Sequence, residues 1–333
     1  MRIYVAGHRG MVGSAIVREL VRTLPGVEIL TRNRAELDLL NQSHVFEFLR
    51  AEKPDYTFMA AAKVGGIHAN NTYRADFIYE NLAVQLNLIH GAYQAGLRNL
   101  MFLGSSCIYP RDCPQPIKEE YLLTGLLEQT NEPYALAKIS GIKLCESYNR
   151  QYATNYVSVM PTNLYGPGDN YDVANSHVLP ALIRKAHEAK ERDDATLVVW
   201  GSGRPKREFL YVDDLAAACV YFMQKSLGGR GQPGRGSAAH ANAAGAQPEV
   251  LPLLNIGTGE DLTIAELAQT VMRVVGFEGK PVFDSSKPDG TPRKLLDVSR
   301  ANALGWKAKV GLEEGIWMAY RDFQIRHCVR PKH

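Results

Sequence analysis

The 333-residue sequence has no CxxC pair and no cysteine cluster. Its five cysteines, Cys107, Cys113, Cys145, Cys219 and Cys328, are odd in number and scattered. That pattern argues against a disulfide framework or a zinc site, and it fits a reducing, cytoplasmic compartment. Neither charge sign dominates: 38 Lys and Arg face 35 Asp and Glu, for a formal net charge of +3. There is no electrostatic case for a nucleic-acid partner. No apolar run is long enough to span a bilayer, so no membrane role is expected. The N-terminus, Met1-Arg2-Ile3-Tyr4-Val5-Ala6-Gly7, enters a strand without the layout of a signal peptide. What remains is an ordinary soluble composition, 45% hydrophobic and 22% charged. The length suits one large domain or two smaller ones.

Glycine is placed where it matters. Arg2 to Ala6 reads as a strand, and Gly7-His8-Arg9-Gly10-Met11-Val12-Gly13 follows it. An apolar-periodic helix through Ile16, Val17 and Leu20 comes next. Strand, glycine turn, helix is the setting in which a dinucleotide pyrophosphate meets a helix N-terminus. The spacing is GxxGxxG, and a glycine turn without ligand is the alternative. A second strand, Val27 to Leu30, ends in Thr31-Arg32-Asn33-Arg34 rather than in an acidic residue. With Arg9 these guanidinium groups suit a ribose 2′-phosphate, hence NADP(H), unless they simply face solvent. Asp38 and Leu39 lie where they could approach the adenine.

Further strands are expected at Tyr56–Ala60, Asn99–Leu103 and Tyr156–Met160, alternating with helices. That alternation indicates an α/β, Rossmann-type, doubly wound parallel sheet. Asn70 and Asn71 are candidate caps for the long helix that holds Phe77 and Leu82. The fourth strand ends in Gly104-Ser105-Ser106-Cys107-Ile108-Tyr109-Pro110, and the fifth in Pro161-Thr162-Asn163-Leu164. Ligands bind beyond such strand ends. After Tyr165 the alternation loosens. Arg207–Val212 reads as one strand with Asp213 capping the next helix, Leu251–Ile256 as a strand, and Ile264–Val275 as a helix capped by Thr263. Lys287 to Lys294 is a polar loop with four charged residues, and Leu312–Phe323 an amphipathic helix. The expected organisation is a Rossmann domain at 1–165, with 207–225 and 251–258 returning to it. A smaller C-terminal α/β substrate domain comprises 166–206 and 259–333. A glycine-rich insertion covers 228–248.

Tyr134 and Lys138 sit four apart in a helical stretch that begins after Pro133. That spacing puts phenol and ammonium on one helix face. An adjacent ammonium favours the phenolate, so the Tyr pKa is expected to fall, and such a Tyr can exchange a proton with a substrate oxygen. A solvated Lys beside a half-buried Tyr is the plain alternative.

Together these stretches resemble the GDP-L-fucose synthases, a family of the extended short-chain dehydrogenase/reductase superfamily. The residues that carry the resemblance include Gly7 to Ala15, Ala61-Ala62-Lys63-Val64-Gly65-Gly66-Ile67 and Gly104 to Pro110. Further ones are Asn131-Glu132-Pro133-Tyr134-Ala135, Met160 to Pro167, Asn175-Ser176-His177-Val178 and Lys287 to Lys294. The resemblance implies one site for two reactions, C3/C5 epimerisation of GDP-4-keto-6-deoxy-D-mannose and NADPH reduction at C4. Cys107 matches the family's base and His177 its acid; on residue type alone they could be a buried apolar thiol and a helix cap. Tyr134 would protonate the C4 oxygen, Lys138 would tune it, and Ser105 would hydrogen-bond that oxygen, with Ser106 the lesser alternative. The cofactor would touch Gly7 to Gly13, Arg34, Asp38, Leu39, Leu103, Gly104, Ser105, Lys138, Pro161 to Leu164 and His177. Lys185 and Arg207 would face the diphosphate of the GDP-sugar. Trp200 would meet the guanosine, with core packing as its rival role, and Asp289 the ribose or base. A homodimer and no metal are implied.

Overall fold

A computed structural model of the chain describes residues 1–172, 176–228, 251, 253–287 and 289–328. The N-terminal part runs β1 (Arg2–Ala6), α1 (Met11–Thr23), β2 (Glu28–Leu30), α2 (Gln42–Glu52), β3 (Tyr56–Met59), α3 (Ile67–Thr72), α4 (Arg74–Gln94) and β4 (Asn99–Leu103). It continues through α5 (Glu132–Tyr152) to β5 (Asn155–Pro161) and β6 (Asn163–Tyr165). Then follow α6 (Val178–Glu191), β7 (Thr196–Trp200), β8 (Lys206–Arg207), β9 (Phe209–Tyr211), α7 (Val212–Gly228) and β10 (Leu254–Ile256). The chain closes with β11 (Leu262–Thr263), α8 (Ile264–Val275), β12 (Lys280–Asp284), β13 (Arg293–Lys294), α9 (Ser299–Ala303) and α10 (Leu312–Phe323). The expected insertion lies outside the described residues from position 229 onward.

Six strands form one sheet in the order β2-β1-β3-β4-β5-β10. Every pairing in it is parallel. Alternate residues of each strand serve opposite faces. Ile3, Val5, Tyr56, Phe58, Met101, Leu103, Val157 and Val159 enter one apolar cluster with α1 and α7. Tyr4, Ala6, Met59, Leu100, Phe102, Tyr156 and Met160 enter a second with α2, α4 and α5. With both faces covered, the strands carry continuous apolar runs, as buried parallel sheets do. The strand order reverses between β1 and β3, and a crevice opens beyond their carboxyl ends.

The C-terminal elements have their own core. Leu179, Leu182, Ile183, Leu197, Leu267, Val271, Ile316 and Phe323 pack together. Three short sheets surround it: β7 with β12, β6 with β9, and β8 between β11 and β13.

Several local expectations change. The stretch Arg207–Val212 is two strands, because Glu208 breaks it and turns a carboxylate that is 0% exposed into the interior. Its oxygens accept from the Gly259 and Leu296 amides at 2.8 and 3.0 Å. The Glu208 backbone carbonyl accepts from the Asn163 and Thr162 side chains. Asp213 does not cap α7; it lies in the first turn and pairs with Arg18 at 2.5 Å. Asn70 lies inside α3, and its amide donates to the Gly65 and Gly66 carbonyls instead of capping α4. The second strand starts at Glu28 rather than Val27, and the strand expected from Leu251 spans Leu254–Ile256. Thr263 caps α8 in a full capping box with Glu266.

Candidate active site

The glycine loop is shaped by steric exclusion. Gly7 adopts φ +83°, and a Cβ there would stand 2.6 Å from the Ala61 amide nitrogen. A Cβ on Gly13 would stand 2.1 Å from the Gly7 carbonyl oxygen. β1, the β3 end and α1 therefore approach more closely than side chains permit. Gly10 caps α1 without a side-chain bond, and no acidic residue sits in the first turn. The positive helix end is left for an anion. His8 Nδ1 is buried with no hydrogen-bond partner among the described residues. These features fit a dinucleotide pyrophosphate. Of the arginines near the adenosine end, Arg32 is committed to Glu52 at 2.7 Å and lies over Phe48. Arg34 is exposed and reaches Asp38 only at 3.9 Å. Arg9 is exposed as well.

Beyond β4, Ser105 takes an extended conformation and its hydroxyl accepts from the Cys107 amide at 3.4 Å. A single turn at Ser106–Ile108 then buries Cys107 to 7% exposure. The turn is pinned behind: the Tyr109 hydroxyl donates to Asn255 Oδ1 at 2.6 Å. Asn255 also holds the Ile117 carbonyl and the Glu119 carboxylate.

The α5 pair arrives from the opposite side. Lys138 is buried, and its Nζ donates to the Leu103 carbonyl at 2.7 Å. The same ammonium lies 5.7 Å from the centre of the Tyr134 ring. Shared placement on one helix face holds, but the expected electrostatics do not. Burial, then the nearby Cys107, pushes the Tyr134 phenol up rather than down. Burial also drags Lys138 down to about 8. The cost of removing a phenolate from water outweighs one fixed cation. Cys107 behaves likewise. Burial raises its thiol against the opposing charge of Lys294, the Ser105 hydrogen bond and Lys138.

His177 caps α6 with an extended backbone. Its surface is open, yet protein crowds around it. Lost hydration, then the Lys294 charge, pulls its imidazolium down. Burial thus disfavours the charged form of both groups, the thiolate of Cys107 and the imidazolium of His177.

At the far end, Trp200 closes β7 and is 48% exposed, which removes core packing as its role. Lys185 Nζ lies 4.6 Å from its ring centre and Lys287 Nζ 5.4 Å. Burial lowers Arg207, although the Asp289 charge opposes the shift. Asp289 is exposed and already accepts from the Ser202 amide and hydroxyl at 2.6 and 2.8 Å. The two ends are joined through Glu208. Its carbonyl accepts from Asn163 Nδ2 at 2.8 Å and Thr162 Oγ1 at 3.3 Å, and it follows Arg207 in the chain. Lys294, absent from the sequence reading except as one charge of a polar loop, stands in register with Arg207 and lines one pocket with Cys107.

Residues 3–233 match the NAD dependent epimerase/dehydratase family. A GDP-L-fucose synthase of Escherichia coli is 54% identical over 322 residues, spanning 97% of this chain and 96% of that protein. The chain belongs to the GDP-L-fucose synthase branch of that family. Among solved structures, a GDP-L-fucose synthetase from Naegleria fowleri bound to NADP is similar at a TM-score of 0.83 and 27% identity, covering 98% of this chain and 93% of that one. A GDP-mannoheptose C4 reductase from Campylobacter jejuni with NADP bound reaches 0.82 at 38%, covering 97% and 98%.

Proposed function

We propose that this member of the GDP-L-fucose synthase family converts GDP-4-keto-6-deoxy-D-mannose to GDP-L-fucose by epimerisation at C3 and C5 and reduction at C4, using NADPH. The observation that carries this reading is the placement of Cys107. Its thiol interacts electrostatically with both Tyr134 and Lys138. A proton-transfer group for the carbons thus stands beside the proton-transfer group for the oxygen.

A 4-keto group acidifies the hydrogens on its neighbouring carbons. Cys107 takes a proton from one ring face and His177 returns one from the other. A thiolate with a raised pKa is a strong base, and an imidazolium with a lowered pKa a strong acid. The enolate oxygen at C4 is held by the Tyr134 and Ser105 hydroxyls. Bound NADPH supplies the hydride that reduces C4. Tyr134 protonates the oxygen, and Lys138, anchored on the Leu103 carbonyl, keeps the phenol oriented. Lys185 and Arg207 neutralise the diphosphate, while Trp200 stacks on the base.

Residues 1–165, with 207–225 and 251–258, form the cofactor domain in this reading, and 166–206 with 259–333 the substrate domain. A homodimer forms through α4 and α5, which expose Tyr79, Leu86 and Leu136. Among the described residues no helix is long and apolar enough to cross a membrane. Cys107, Cys113, Cys145 and Cys219 are free thiols, which suits the cytoplasm.

The test mixes purified protein, NADPH and GDP-4-keto-6-deoxymannose. Loss of NADPH absorbance with formation of GDP-fucose is expected. No oxidation of NADPH with that substrate overturns the reading.

A further inference from the structure

Cys107 needs a counter-charge, because burial alone keeps its thiol protonated. Charged and polar groups approach it from four directions. Ser105 belongs to its own turn. Tyr134 and Lys138 come from α5. Arg111 and Glu128 come from the connection between β4 and α5, and Arg293 and Lys294 from β13. Most of the cations are already occupied. Arg111 faces Glu128 at 3.5 Å. Arg293 turns to Asp261 at 2.5 Å. The Lys138 ammonium donates a hydrogen bond to the Leu103 carbonyl. Among these cations only the Lys294 ammonium has no side-chain hydrogen bond or ion pair among the described residues, and Lys294 lines the pocket that holds Cys107.

The backbone fixes Lys294 there. β13 pairs in parallel with β8, setting Lys294 opposite Arg207. The next two residues are bound on both sides: Leu295 gives its amide to Gln115 Oε1 at 2.9 Å, and Leu296 gives its amide to Glu208 Oε2 at 3.0 Å. The Ile117 amide donates to the Leu295 carbonyl at 2.7 Å. Lys294 is thus a part-buried ammonium on a tethered strand, not a loose surface side chain.

We propose that Lys294 is a positioning residue for the epimerisation, its ammonium supplying the charge that stabilises the Cys107 thiolate across their shared pocket. The inference rests on the reading of Cys107 as the base. Lys294 has a second, electrostatic effect. It also acts on His177, where a cation disfavours the imidazolium. One ammonium thereby makes the Cys107 thiolate easier to form, while at His177 it disfavours the protonated form and makes any imidazolium present a stronger acid. Burial and the Arg207 guanidinium in the paired strand disfavour the Lys294 ammonium, and Cys107, Cys113 and Glu128 favour it, so its charge is coupled to that of the thiol it faces.

The experiment titrates thiolate absorbance in the ultraviolet on the full chain, each variant measured against the same protein carrying Cys107→Ser. Lys294→Met should raise the Cys107 midpoint by about one pH unit or more, a tenfold loss of thiolate at a given pH below it. Lys294→Gln should do the same, and it serves if the Met variant does not fold. Lys294→Arg should restore the midpoint to within a few tenths of a unit. Solvent-deuterium entry at C3 and C5 of the sugar, followed with NADP present, should fall with the thiolate fraction while NADPH affinity stays unchanged. An unchanged midpoint in the neutral variants, or an arginine variant displaced as far as they are, overturns the role of the charge. That outcome leaves the proposed function standing if wild type still forms GDP-fucose. Failure of wild type to convert the sugar overturns the function, whatever the titration shows.

Discussion

The glycine loop and the region around Lys185, Trp200 and Arg207 solve opposite problems. Around Gly7 and Gly13 the chain excludes side chains, and a close backbone-to-backbone approach forms the cradle. Around Lys185, Trp200 and Arg207 it does the reverse. Lys185 Nζ, from α6, lies 4.6 Å from the Trp200 ring centre at the end of β7, and Arg207 extends from the two-residue strand β8. The first kind of site tolerates almost no added atom. The second depends on charge and ring surface and should fail by degrees. Cys107 lies at the seam, with α5 on one side and β13 on the other.

Variants at the seam and in each half can break that contrast. Cys107→Ser should slow deuterium entry at C3 and C5 by about 10²–10⁴-fold, the scale of a lost proton-transfer group, with NADPH affinity intact. Normal conversion would make Cys107 structural. Gly13→Ala should weaken NADPH by roughly 100-fold, since overpacking of ~3 kcal/mol has nowhere to relax. Fluorescence titration of NADPH measures this, and GDP affinity should not follow. Trp200→Ala should weaken GDP by about tenfold, the loss of one stacked base, leaving NADPH unchanged by calorimetry. Smallest is Arg34→Ala. It should weaken NADPH by about fivefold and NADH hardly at all, because an exposed guanidinium toward a phosphate is partly screened. Equal loss for both cofactors would remove the 2′-phosphate from its role.

The same contrast explains what could be read in the sequence. The apolar runs of β1, β4 and β5, their alternation with helices and the period of α8 and α10 are local patterns, and the structure repeats them, α10 over Leu312–Phe323 as expected. The glycine spacing is local too. Glu208 was not legible as a strand breaker, because its partners Gly259 and Leu296 are distant in the chain. Asp213 reads as a cap until Arg18, 195 residues away, takes its carboxylate. Lys294 carries no local signal beyond belonging to a charged loop, and only the pairing of β13 with β8 brings it to the Cys107 pocket. The Tyr134 expectation weighed one neighbouring ammonium. It could not weigh the burial that outweighs it.

Conversion in deuterated water tests the central claim most directly. The protein, NADPH and GDP-4-keto-6-deoxymannose are combined, and the product is read by NMR. The account predicts one NADPH oxidised per GDP-L-fucose formed, with deuterium at both C3 and C5. A reduced product with hydrogen retained at those carbons would contradict it, leaving a C4 reductase without the epimerase.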